Sequence, residues 1–112
     1  METIIKGRCA SRGEQISKIK VICGDRPLSR KLVSNKIVVV EFLAPDMLQF
    51  ISEIKGVIAE TGSVTSHPAI VCREYGIPYI INIESSISAF ENVESVHLDA
   101  TSGIIKLIKY NE

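Results

Sequence analysis

A chain of 112 residues has room for one modest hydrophobic core, and too little for a two-lobed enzyme with a deep cleft. Its 13 basic side chains balance 13 acidic ones, so no net charge draws it to nucleic acid or to a membrane surface. Apolar residues make up 46% and aromatics only 5%, which favours a compact α/β unit rich in Ile and Val over an aromatic-lined pocket.

In chain order, residues 3–6 read as a short strand closed by Gly7, and residues 8–14 as a turn region punctuated by Ser11 and Gly13. Residues 15–22 follow as a strand with one solvent face. Around Pro27, residues 24–35 read as a loop or irregular helical turn. The run from Ile37 to Leu43 is continuously apolar and β-branched, which predicts a central strand buried on both faces. Pro45 then opens a helix over residues 45–54, with Met47, Phe50, Ile51 and Ile54 at helical spacing toward the sheet.

A short strand over 56–59 leads into a polar turn, residues 60–66. The next helix starts at His67 or Pro68 and stops at Gly76, with Pro78 barring its continuation. Residues 79–83 form another buried strand, and residues 85–92 a polar connector with room for a short helical turn. Residues 93–99 and 104–108 pair as a hairpin. The expected whole is one α/β domain over 1–112, with a mixed sheet and few helices.

Cys9, Cys23 and Cys72 are odd in number and far apart, so neither a disulfide framework nor a cysteine zinc site is expected. The N-terminal residues lack the basic start and apolar core of a signal peptide, and no apolar run is long enough to span a bilayer. The expected location is the cytoplasm, with no membrane partner.

The chemistry concentrates at one of the chain's two histidines. His67 falls at a helix mouth, where free N–H groups and the positive end of the dipole favour an anion. A neutral imidazole is a good nucleophile near physiological pH, so a histidine there suits a phosphoryl carrier. Thr65 and Ser66 supply hydroxyls that could hold phosphoryl oxygens or cap the helix. Arg73 lies nearly two turns further on, so its reach to a phosphate does not follow from spacing. The plainer alternative for His67 is a solvated residue in a capping turn.

Other chemistries fit less well. A zinc site lacks a third ligand beside His67 and His97. A Ser66–His67–Asp99 hydrolase would need neighbouring side chains that diverge at a helix start, and the G-x-S-x-G elbow is absent. Residues 62–66 lack the Gly-Lys ending of a phosphate loop. His97, alternating with Val96 and Leu98, is expected to face solvent.

The stretch from Thr61 to Pro78, Thr-Gly-Ser-Val-Thr-Ser-His-Pro-Ala-Ile-Val-Cys-Arg-Glu-Tyr-Gly-Ile-Pro, resembles the pattern T-G-G-x-T-S-H-x-A-I-x-A-R-E-x-G-I-P. That pattern marks the phosphohistidine, or mobile swivelling, domain of phosphoenolpyruvate-utilising enzymes such as pyruvate phosphate dikinase and phosphoenolpyruvate synthase. Gly7 to Gly13 resembles the family's opening G-x-x-A-S-x-G, and Val96 to Ile105 its closing V-x-V-D-G-x-x-G-x-V.

The resemblance implies a swivelling β/β/α phosphohistidine domain in which His67 accepts a phosphoryl group at one site and delivers it at another. Gly62, Thr65 and Ser66 would bind the phosphoryl group, and Thr65 matches a regulatory phosphorylation site. The partners implied are a nucleotide-binding domain and a phosphoenolpyruvate/pyruvate-binding barrel, on other chains or a missing remainder. Magnesium is expected on those partners, with no cofactor or metal on this domain, which would be a phosphotransferase component unable to turn over alone.

The chain departs from the pattern at Ser63, where the second glycine stands, and at Pro68, which removes an N–H from the helix mouth. Cys72 replaces alanine, Asn82 the glycine after a strand, and Ala100 the glycine after Asp99. Ser63 and Pro68 favour the alternative reading, a non-catalytic swivelling module used for assembly or regulation.

Overall fold

The computed structural model describes residues 3–22 and 29–110. Part of the expected irregular stretch 24–35, and Cys23, lie outside them. The strands are β1 (Thr3–Lys6), β2 (Arg8–Ser11), β3 (Glu14–Ile22), β4 (Ile37–Val40), β5 (Gly56–Ala59), β6 (Tyr79–Ile81), β7 (Val93–Asp99) and β8 (Ile104–Tyr110). Among the described residues the α-helices are α1 (Arg30–Val33) and α2 (His67–Tyr75), and 3-10 segments run over Pro45–Glu53 and Ile87–Phe90.

The strands pair in the order β1-β8-β7-β3-β4-β5-β6-β2. The long β3 is shared between two sheets. Glu14 to Lys18 pair antiparallel with β7, whereas Ile19 to Ile22 pair in parallel with β4. β1 and β2 are separated in the chain by Gly7 alone, yet they stand at opposite ends of the pairing order. The sheet therefore curls almost into a barrel, and the Gly7 N–H donates to the Gly103 carbonyl at 3.0 Å near the seam.

Alternation along the central strands builds three layers. Ile37, Val39, Ile58 and Ile80 face the antiparallel sheet, where they pack with Phe90, Val96, Leu98, Ile105 and Leu107. Val38, Val40, Val57, Ala59, Tyr79 and Ile81 face the helical side, against Met47, Ile51, Ile54, Ala69 and Cys72. All four residues of β4 are buried, because a strand covered on both faces has no solvent side. This is the expected α/β architecture: sheet on sheet, with helices on the far side.

Four local expectations need correction. Residues 8–11 form strand β2, paired antiparallel with β6, where a turn was expected. Its Arg, Cys and Ser carry no alternation; tertiary pairing makes the strand. β4 ends at Val40, after which Glu41 and Phe42 bend outward and leave Phe42 61% exposed. β6 ends at Ile81 because Asn82 takes a left-handed φ of 50°. The expected helix over 45–54 is 3-10 in form, although Met47, Ile51 and Ile54 are buried as its spacing indicated and Phe50 packs beside them.

Candidate functional site

His67 is the first residue of α2, and the loop carrying it rises from the C-terminal end of β5, between β4 and β6. Open parallel sheets bind ligands at this end of their strands. The loop is tied down step by step. Glu60 N–H donates to the Val40 carbonyl at 3.1 Å, and Thr61 N–H to the Glu41 carbonyl at 3.0 Å. The Thr61 hydroxyl donates to the same Glu41 oxygen at 3.2 Å.

Gly62 comes next. A Cβ there would lie 2.8 Å from Ile81 Cγ2 and 3.1 Å from the Tyr79 hydroxyl, so close approach to β6 demands glycine at this position. Its backbone is held by one side chain. Gly62 N–H donates to Asn82 Oδ1 at 3.2 Å, and Asn82 Nδ2 donates to the Gly62 carbonyl at 3.4 Å.

The turn before the helix is organised by Ser63. Its Oγ accepts from Thr65 N–H at 3.2 Å and shares a hydrogen bond with the Thr65 hydroxyl at 3.0 Å. Its carbonyl accepts from Ser66 N–H at 3.3 Å and from the Ser66 hydroxyl at 2.8 Å. Ser66 Oγ in turn caps α2, accepting from Ala69 N–H at 3.4 Å. Pro68 has no N–H, and Ile70 N–H is bound to the Ser66 carbonyl. The helix mouth thus offers an anion chiefly the His67 amide and the dipole. The His67 side chain is exposed and makes no hydrogen bond or ion pair among the described residues.

Arg73 points elsewhere. Its Nε donates to the Ala10 carbonyl at 2.9 Å and its Nη2 to the Val64 carbonyl, so it clamps α2 to β2 and to the loop. An open cavity of about 420 Å³ beside it is lined by Cys9, Ala10, Ser11, Arg12, Arg73 and Gly76.

Gly62, Thr65, Ser66 and His67 therefore lie on one continuous loop-to-helix junction. Asp99 does not join them. It sits on β7 in the other sheet, where its carboxylate accepts from Ser102 N–H at 3.2 Å. His97 lies on the outer face of the antiparallel sheet, as its alternation with the buried Val96 and Leu98 predicts, and there it pairs with Glu14. No three His, Cys, Asp or Glu side chains among the described residues gather as a metal site. Sequence reasoning noted Asn82 and Ser63 only as departures from a pattern. The bonds of Ser63 are local, to Thr65 and Ser66, whereas those of Asn82 reach Gly62 twenty residues away, a contact that spacing does not reveal.

The chain belongs to the family of mobile domains of phosphoenolpyruvate-utilising enzymes: the family model "PEP-utilising enzyme, mobile domain" matches residues 32–103. It is 31% identical over 104 residues to a probable phosphoenolpyruvate synthase of Methanothermobacter thermautotrophicus, covering 93% of this chain and 15% of that protein. The crystal structure of Thermococcus kodakaraensis aconitase X (holo-form) shares the fold, with a TM-score of 0.69 and 18% identity over 96% of this chain and 99% of that one. The N-terminal domain of Enzyme 1 - Nitrogen shares it with a TM-score of 0.55 and 24% identity, over 62% of this chain and 30% of that one. The first curated relatives are much longer, and the chain spans between 12% and 15% of their length. Among the described residues, no helix is long and apolar enough to cross a membrane.

Proposed function

We propose that this chain is a phosphohistidine carrier. The observation that carries the reading is an exposed, uncommitted imidazole on the first residue of α2, borne by a hydrogen-bonded loop at the C-terminal end of parallel strands. The neutral ring nitrogen bonds to the phosphorus of a donor as the bond to the donor's leaving oxygen breaks, and the reverse step delivers the group to an acceptor. The helix dipole and the His67 amide favour the transferred anion. Thr65 and Ser66 can turn their hydroxyls from Ser63 to the phosphoryl oxygens, and Gly62 keeps the approach short.

Donor and acceptor sites belong, in this reading, to a nucleotide-binding domain and a magnesium-dependent phosphoenolpyruvate/pyruvate-binding barrel on other chains or on further sequence. The multidomain length of the relatives supports that assignment. The exposed Thr65 is assigned a regulatory role, since a phosphate there would place negative charge beside His67.

The second reading, a non-catalytic module for assembly or regulation, draws on Pro68 and on the engagement of both hydroxyls within the loop. One experiment separates the two. Labelled phosphoenolpyruvate and labelled ATP are each incubated with the chain and extract of the source organism, beside a His67→Ala variant. The carrier reading expects an acid-labile, base-stable phosphate on His67 that the variant loses entirely. No label from either donor on folded protein selects the non-catalytic module.

A further inference from the structure

Between the two tethered parts of the histidine loop lies a joint. Upstream, Glu60 and Thr61 are bound to the end of β4. Downstream, the Ser63 turn is bound to itself and to the start of α2. Gly62 connects them and has no side chain with which to pack. Arg73 also holds the Val64 carbonyl of the turn, and Val64 packs against the core, so what the Gly62 peptide groups fix is the angle between the upstream and downstream parts at the joint itself.

That holder is Asn82. Its carboxamide satisfies both backbone groups of Gly62, accepting at 3.2 Å and donating at 3.4 Å. Asn82 is exposed, so it fills no core space. Its φ of 50° ends β6 and turns the chain there. Asparagine is among the few residues other than glycine that take this conformation readily. Glycine would meet the backbone requirement at 82, and only the carboxamide meets the requirement at 62. A second tie links the same two segments: Glu60 Oε2 accepts from Ile87 N–H at 2.6 Å, at the start of the 3-10 turn after β6.

We propose that Asn82 is a positioning residue for phosphoryl transfer at His67. It acts through Gly62, holding the Ser63–His67 turn in one orientation over the ends of β5 and β6, and does not itself touch the phosphoryl group. This rests on the carrier reading of His67. Transfer requires the ring nitrogen in line with the breaking bond, and a misplacement of about 1 Å at such a centre can lower a rate by roughly a hundredfold.

The test compares wild type, Asn82→Gly and Asn82→Asp. Asn82→Gly keeps the left-handed turn and removes the carboxamide. Asn82→Asp keeps the acceptor for Gly62 N–H and loses the donor to its carbonyl. Two quantities are read on each: the initial rate of His67 labelling, with whichever of phosphoenolpyruvate or ATP labels wild type in source extract, and amide hydrogen exchange at Gly62 and across β4 and β5.

The expected rates fall in the order wild type, Asn82→Asp, Asn82→Gly, with at least about a tenfold loss in the last. Gly62 loses exchange protection in Asn82→Gly while β4 and β5 keep theirs. An Asn82→Gly rate equal to wild type overturns the proposal. A rate loss accompanied by equal loss of protection in β4 and β5 also overturns it, because the effect is then general loosening. Failure of both donors to label wild type removes the carrier reading, and this role with it. Labelled wild type with an indifferent Asn82→Gly removes this role alone.

Discussion

Gly62 and Cys72 show how single positions are decided by their neighbours. A methyl group at 62 meets Ile81 Cγ2 at 2.8 Å, within a wall of buried β6 side chains. Gly62→Ala is expected to destabilise the fold by about 1–3 kcal/mol, read as a lower urea midpoint with unchanged slope. The Cys72 thiol is fully buried, and burial pushes its pKa from 9.0 up to about 12, against a smaller downward pull from Arg73. Tyr79 rises from 10.0 to about 12, first by burial and then by its proximity to Cys72. Both groups hold their protons longer when folded than when unfolded, so their contribution to stability is full below about pH 9 and is lost as pH rises toward 12. Urea midpoints measured at pH 8, 9.5 and 11 should fall across that series. Iodoacetamide on the folded chain at pH 8 should modify the partly exposed Cys9 and spare Cys72.

Among the elements, β2 depends most on contacts made elsewhere. It is, among the described residues, an edge strand paired with β6 alone, through a register shift between Cys9 and Ser11, and Arg73 from α2 caps its Ala10 carbonyl. Arg73→Ala is expected to cost about 1.5–3 kcal/mol in urea denaturation, the range for hydrogen bonds to a charged group. Arg73→Lys should recover only part of this, because an ammonium lacks the fork that spans Ala10 and Val64. The strand was not legible from residues 8–11, which carry no periodic signal. α2 was legible almost to the residue, since a Ser cap, a proline in the first turn and a left-handed Gly76 each have a local cause.

Across the whole molecule, closure of the sheet depends on a glycine contact. Gly103 has a φ of 74°, and a Cβ there would lie 2.6 Å from the Gly7 carbonyl oxygen. That contact lies near the seam where β1 passes into β2. Gly103→Ala should cost at least about 1–3 kcal/mol from the backbone conformation alone. Hydrogen exchange should show β1 and β8 opening first, with α2 and β5 protected as before. A variant that loses protection uniformly would count against a local seam. The layers explain the separation: the helical side and the antiparallel sheet pack on opposite faces of β4, β5 and β6.

The sequence by itself determined the central buried strands, the C-terminal hairpin, both ends of α2 and the placement of His67 at its mouth. Those features follow from local rules: β-branched runs, capping residues, and prolines and glycines at helix ends. Only the tertiary structure decided that residues 8–11 pair as a strand, that Arg73 turns from the helix mouth toward β2, that His97 meets Glu14, and that Asn82 grips Gly62. Each of those contacts joins residues distant in the chain, and the hydrogen bonds that fix them exist only once the elements that carry the two partners have packed together.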